Sequence, residues 1–554
     1  MSKISDAASA MREKNSLRPE QIVTNFMGGD SYKINPLDTL KMITASSIFG
    51  EPSYYNGSRS EKAYVVHKLV AAFSVMPEMY IGKTTEDIME EAIDAALDYD
   101  FEGTLKWASE LRHEFYMRLN PQVIMVRAAL HPGRKAFTEA NPGKFDEYNR
   151  KIMSRADEPM TQMAYYLYLN DGKKNDVPSL LKRSWAKKLG SLNRYNVAKY
   201  KNHEIGMIDA VRICHAHSAV LDELMQTGTV KVEENDQTWE NMRSAGKSWR
   251  EIFEADVMGH MALLRNLRGV FTEVEDTEFC KRYLAKLVDG VAGAKQFPYR
   301  YYSAIKAIEA SKANHKPLII EALEDCIDAA IKNLPHLNGK TMCLSDNSGS
   351  AWSPVTTEYG RIQIAEIDNL SSVIAAACSD EGYVGKFGDE LIVTPISKRT
   401  GILREAEDLS NSRYYDVGGN TEGGIWEFFK NAIEKKEHWD NIFIFSDQQA
   451  GHGGLYGTDH QISEYRKLGY ACEGKYGGNT FVNVFKLVLE YRKKVNPKVN
   501  VFTVQTAGYN NSVLPEYAYR TNILYGWTGK ETLFADAMIR QWDDIEKANS
   551  SVNN

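Results

Sequence analysis

Asp346, Ser348 and Ser350 fall at alternate positions in KTMCLSDNSGS, residues 340–350, directly after the apolar run Met342-Cys343-Leu344. The run has the length and flanks of a buried strand, and Gly349 allows a tight turn after it. Three hard oxygen side chains at that spacing, on a loop leaving a strand, can converge on one point. A small hard cation such as Mg²⁺ takes oxygen ligands in near-octahedral geometry and fills its remaining positions with water or a partner's oxygen. Alone, the string more often serves as a polar strand-to-helix turn, because Asp and Ser satisfy local backbone groups. Two later stretches add to it. NIFIFSD puts Asp447 after an apolar strand, and VGGNTEGG puts Thr421 in a glycine-rich loop before a helix. A set of five oxygens leaves one position of an octahedral cation open, so a partner's carboxylate would complete it.

Such loops need a scaffold that gathers strand ends. From residue 337 onward, strand-like and helix-like runs alternate: KTMCLS, a helix near 366–379, GDELIVTPI, a helix from Gly424 to Ile433, NIFIFS, a helix over 481–494, VNVFTVQTA, TNILYGW and a closing helix from Glu531 to Trp542. This alternation predicts a parallel, doubly wound, Rossmann-like α/β sheet over 337–554, with ligands beyond the C-terminal strand ends. The combination of D-x-S-x-S, a later Thr and a later Asp resembles the metal-ion-dependent adhesion site (MIDAS) of von Willebrand factor A domains. That resemblance implies Asp346, Ser348, Ser350, Thr421 and Asp447 as ligands of a divalent cation, Mg²⁺ above all. Thr421 is followed by Glu422, where many such domains carry Asp.

Upstream, residues 1–20 are polar and aperiodic, an expected flexible arm. Residues 21–336 read as helical almost throughout, without convincing strands. Pro36 follows a capping Asn35, and Thr84 to Tyr99 carries Ile88, Ala92, Ile93, Ala96 and Leu97 on one face. Further helices are expected near 159–169, 179–189, 205–226, 240–267, 276–291, 299–312 and 317–333. The pattern fits an irregular bundle or a solenoid of stacked helix pairs equally. A turn-rich linker at 334–339 separates the two parts.

With 554 residues, 43% hydrophobic and 25% charged, the chain has the composition of a multidomain globular protein. No run of eighteen apolar residues occurs, and no apolar signal core opens the chain, so a cytoplasmic protein off the membrane is expected. Its six cysteines are scattered without a C-x-x-C pair, consistent with reduced, buried thiols.

Between Lys173 and Lys201 the chain concentrates Lys173, Lys174, Lys182, Arg183, Lys187, Lys188, Arg194, Lys199 and Lys201, interleaved with Trp185, Tyr195 and Tyr200. Cations neutralise phosphates and aromatics stack on unpaired bases; a solvated helix face explains the same pattern equally well. The net charge of −7 does not bear on this, since a local stripe decides nucleic-acid binding. RICHAH, residues 212–217, reads as a helix end with polar His rather than a metal cluster.

LLKRSWAKKLGSLNRYNVAKYKNHEIGMIDAVRICH, residues 180–215, resembles the basic Tyr- and Lys-bearing helix pair of TROVE domains in the Ro autoantigen family. MALLRNLRGVF (261–271) resembles that family's A-L-L-R-N-L segment. QFPYRYYSAIKAIEA resembles the stretch before its A domain, and NFMGGDSYKINPLDTLKMITASSIFGEPSYY its opening helices. The resemblance spans roughly 20–545. It implies a HEAT-like helical-repeat ring closed by the A domain, monomeric, in a bacterial or phage ribonucleoprotein. It also implies small structured (Y-like) non-coding RNAs on a basic outer surface, and single-stranded 3′ ends of misfolded RNAs in a central hole. Both belong to RNA quality control or processing with an exoribonuclease partner. By position Lys199, Lys201, Arg212 and His215 match its RNA-contacting segment, with Lys182, Arg183, Lys187 and Arg265 beside them.

An enzyme is not expected. Ser184-x-x-Lys187 and Ser345-Asp346-Asn347 spell two parts of a β-lactamase signature, but Lys398-Arg399-Thr400-Gly401 breaks the third and the parts fall in different domains. The remaining alternative is a metal-dependent protein scaffold that binds no RNA.

Overall fold

The structure is a computed structural model that describes residues 22–24, 30–33, 35–45, 85–174, 176–201, 205–231, 238–349, 351–352, 354–357, 360–397, 400–411, 416–418, 423–446, 467, 471–473, 480–506, 511–515, 518–525, 529 and 531–552. The expected arm at 1–20 lies outside them. Two parts are evident: a row of helices from Pro36–Ala45 to Lys316–Ile331, and an α/β part built on a six-stranded sheet.

In the row, local chemistry sets the breaks. Asp100 opens helix Phe101–His113 by accepting from Gly103 N at 2.8 Å, and Ser248 with Glu251 forms a capping box ahead of Trp249–Glu254. Two long expected helices are subdivided for the same reason. The 205–226 stretch breaks after Met207–Cys214, where His215 turns left-handed (φ 56°) and Ser218 caps Ala219–Thr227. The 240–267 stretch breaks at Gly246 (φ 83°) and again at Asp256 (φ 55°), giving Trp239–Ser244, Trp249–Glu254 and His260–Glu273.

The sheet has strands β1 Leu337–Asp346, β2 Ser379–Phe387, β3 Leu391–Pro395, β4 Asn441–Ser446, β5 Asn500–Gln505 and β6 Thr521–Tyr525. Its order is β6-β5-β4-β1-β2-β3, parallel except for β3, which runs antiparallel to β2. The expected single strand over GDELIVTPI is thus the short edge β3, and β2 went unread in SDEGYVGKF because its glycines and charges hide the period. Those glycines have a packing reason. A Cβ on Gly382 would stand 2.0 Å from the Ala376 carbonyl oxygen, so only glycine lets helix Ile364–Ala377 lie against the strand.

Strand alternation sends Phe443 and Phe445 to one face of the sheet and Ile442 and Ile444 to the other. The first face shares one continuous core with the second half of the helical row, including Tyr283, Tyr301, Leu323 and Ile327. The first half of the row, from Leu40 to Val230, has its own core. Yet its beginning also docks on the α/β part. Helix Pro36–Ala45 packs on β6, the Phe115 and Phe534 rings lie 6.1 Å apart, and a hairpin of Ile22–Thr24 with Asp30–Lys33 pairs with Asn511–Ser512. This hairpin corrects the expectation of a strand-free N-terminal part. At the seam a cavity of about 920 Å³ is walled by Tyr116, Lys295 and Phe297 among others. Tyr116 and Lys295 are both left-handed, and the Lys295 ammonium lies 5.3 Å from the Tyr116 ring centroid.

No helix among the described residues is long and apolar enough to cross a membrane. Cys214, Cys280, Cys326, Cys343 and Cys378 are buried and form no disulfide. Burial pushes the thiols of Cys214 and Cys280 up to about 11 and that of Cys326 up to about 12. Iodoacetamide at neutral pH is therefore expected to leave these five unmodified in the native protein and to label them all in urea, read by intact mass.

Candidate functional site: a sheet edge and a basic strip

Asp346 ends the central strand and is 1% exposed. Its Oδ1 accepts from Ser348 N at 2.9 Å, and its Oδ2 accepts from Ser446 Oγ, the last residue of β4, at 2.7 Å. The carboxylate is thus oriented by two strands at the edge where ligands of such sheets bind. Ser348 is fully buried beside it. Ser350, Thr421 and Asp447 lie outside the described residues. The segments flanking Thr421 are nonetheless pinned to the exit of β2: Glu390 N donates to Val417 O at 3.0 Å and Gly424 N to Gly388 O at 2.8 Å. A Cβ on Gly423 would come within 2.4 Å of the Asp389 carbonyl oxygen, so this approach requires glycine.

Sequence reasoning missed the layer beneath the loop. Asn347 points inward: its Nδ2 donates to Asn369 Oδ1 at 2.9 Å, and Asn369 Nδ2 returns a bond to Asn347 Oδ1 at 3.1 Å and another to Ser410 Oγ at 3.0 Å. Ser345 Oγ donates to Asn369 Oδ1, and Trp352 Nε1 to Asn347 O at 3.0 Å. Asp368, Asn369, Ser371 and Ser372 are all buried on helix Ile364–Ala377. A run of polar side chains within an otherwise apolar helix was the available signal. Lys386, 2% exposed, is held by Leu409 O and by the Asp416 carboxylate.

Among the described residues no group of three or more His, Cys, Asp or Glu side chains could hold a metal. The adhesion-type set is of another kind, hydroxyls and two carboxylates, and its described members suit a hard cation: Asp346 and Ser348 are oxygen donors held in place by hydrogen bonds.

The basic strip occupies three neighbouring helices of the first core. On Ser179–Gly190, Leu181, Ser184, Trp185 and Leu189 face inward, leaving Arg183 and Lys187 exposed and Lys182 at the margin. Trp185 is no base platform, since it is fully buried and donates to Gln162 Oε1 at 2.7 Å. Lys199 is exposed, its ammonium 5.6 Å from the Tyr195 ring centroid and 5.7 Å from that of Tyr200, with Lys201 half-buried after it. Helix Met207–Cys214 packs on Ser179–Gly190 and carries exposed Arg212, with exposed His215 just past its end. Arg212 lies 4.0 Å from Asp209, an exposed pair of little strength. Arg265 is exposed on His260–Glu273, which belongs to the second core.

Asn369→Leu is expected to strand the Asn347 amide and cost about 1–3 kcal/mol, read by urea unfolding. Asn369→Asp, which keeps acceptors but loses the donors to Asn347 and Ser410, is expected to be destabilised too.

The crystal structure of the Ro protein (RSR) of Deinococcus radiodurans is similar to this chain at 12% identity and a TM-score of 0.56, covering 87% of this chain and 100% of that one. No protein-family model matches the chain, nor does any curated protein. Coverage that wide takes in the helical row and the α/β part together, and at this identity the likeness is one of architecture: the chain has the fold of a Ro protein.

Proposed function

We propose that this chain is a Ro-like, non-enzymatic RNA-binding protein. The observation that carries the reading is the joint one: a fold similar to a Ro protein across 87% of the chain, together with a largely exposed cationic strip on the first half of the helical row. Lys182, Arg183, Lys187, Lys199, Lys201, Arg212 and His215 form the strip and neutralise phosphates of a small structured RNA, while Tyr195 and Tyr200 hold Lys199 in place. Arg265 serves a separate contact on the second half of the row. The helical part acts as a HEAT-like ring that admits single-stranded 3′ ends, and an exoribonuclease partner completes the RNA processing.

The α/β part is a von Willebrand factor A-like module. Asp346, Ser348, Ser350, Thr421 and Asp447 would hold Mg²⁺, which when bound supplies a coordination position for a partner's carboxylate. Asp346 is oriented for that task by Ser348 and Ser446. RNA and protein contacts then belong to different parts of the chain.

Purification from native cells at low salt, followed by sequencing of the associated RNA, tests this reading. A few abundant small RNAs with paired stems are expected; none above background would favour the alternative, a metal-dependent protein scaffold. Lys199→Glu with Lys201→Glu is expected to weaken RNA binding and lower the salt slope by roughly two. Asp346→Ala should leave RNA affinity unchanged and abolish an Mg²⁺-dependent protein contact. Highly pure protein incubated with Mg²⁺ and RNA is expected to leave the RNA intact on a denaturing gel.

A further inference from the structure

The turn after helix Phe101–His113 lies against the turn between Lys144–Ile152 and Glu158–Leu169, where His113 Nε2 is 3.0 Å from Lys151 O. Several cations crowd there. Arg112 Nη2 is 2.9 Å from Glu158 Oε1, while its buried Nε has no hydrogen-bond partner among the described residues. Arg155 donates through Nε to Asp157 Oδ1 at 2.9 Å and through Nη2 to the Tyr200 hydroxyl at 3.0 Å. Lys188 Nζ donates to Ser154 O at 3.1 Å. Arg118, exposed at the rim, precedes helix Leu119–Leu130, whose Gln122 Nε2 donates to Ile152 O at 3.4 Å, and Met117 N beside it donates to Leu111 O at 2.8 Å.

Arg112, Arg118, Arg155 and Lys188 outnumber the carboxylates among them, Asp157 and Glu158. Their mutual influence is felt. The Arg118 guanidinium is held below the usual arginine range, first by the protein packed around it and then by Arg155, with Arg112 adding to this and Asp157 and Glu158 opposing. Lys188 is lowered as well, first by burial, with Arg112 repelling and Glu158 attracting. Cations that crowd each other in partly desolvated surroundings leave an anion wanting. Guanidinium groups match phosphate oxygens in geometry, and a phosphodiester carries the charge that is missing.

We propose that this cluster is a phosphate-gripping site for the backbone of bound RNA, with Arg118 making the direct contact and Arg112, Arg155 and Lys188 supporting it. The inference rests on the RNA-binding reading above and extends it beyond the residues expected there. Tyr200 supplies the continuity: it accepts from Arg155 and its ring lies under Lys199, so the cluster and the strip form one track.

Arg118→Gln removes the charge without breaking a bond seen in the fold. Binding of the full chain to a fluorescent hairpin RNA and to a single-stranded oligonucleotide, measured from about 50 to about 200 mM salt, reads the result. The expected outcome is a several-fold loss of affinity and a salt slope smaller by about one, with unchanged Tm. Arg118→Lys should keep the slope while losing part of the affinity, since it retains the charge but not the fork. Unaltered binding by Arg118→Gln, with weakened binding by Lys199→Gln, overturns the site and leaves the proposed function standing. No RNA binding by the unaltered protein overturns both. Inorganic phosphate raising Tm only when Arg118 is present, with RNA affinity unmoved by Arg118→Gln, overturns RNA as the source and marks a free-anion site.

Discussion

Burying a polar group without a hydrogen-bond partner is expensive, and helix Ile364–Ala377 buries a run of them. Three of the four have a counterpart in a different part of the chain, while Ser372 Oγ has none among the described residues. Asn369 answers Asn347 of the loop after β1, Asp368 Oδ2 accepts from Thr506 Oγ1 after β5, and Ser371 meets the Tyr299 hydroxyl of the helical row at 2.6 Å. The same hydroxyl donates to Ile367 O at 3.0 Å. A slip of this helix would orphan several groups at once, so its satisfaction fixes the loop bearing Asp346 relative to both sheet and helical row. Gly382 completes the constraint by allowing the close approach.

Charge is distributed with the same economy of place. The chain carries a net −7, yet cations dominate one face of the first core. Acidic partners elsewhere are spent on local pairs, such as Arg250 with Asp276 and Arg520 with Asp543 and Glu546. The sheet edge is of the opposite sign, with the Asp346 carboxylate buried beside Ser348.

Much of this was legible beforehand. Apolar runs such as NIFIFS announced strands, and helix–strand alternation gave the parallel sheet and placed Asp346 at its edge. What escaped has physical causes. Ser379–Phe387 shows no strand period because Gly382 and Gly385 serve packing rather than flexibility. The helix end read at RICHAH falls at His215, but the continuous 205–226 run hides the second start that Ser218 caps. Trp185, interleaved with lysines, pointed to stacking on bases, but its neighbours at helical spacing, Leu181 and Leu189, share its inward face. The Arg112–Arg118–Arg155 cluster was invisible because its members come from two turns and meet only in space.

The hairpin at Ile22–Thr24 and Asp30–Lys33 finds its third strand at Asn511–Ser512, almost the whole chain away. A ribosome adding about 5–20 residues per second would separate the synthesis of those partners by roughly 25–100 s. Throughout that interval the start of the helical row has an uncovered edge and an undocked first helix. Closure of this seam thus waits until Asn511 and Ser512 have been made, and any nascent-chain factor acting on it has a long time in which to find that edge.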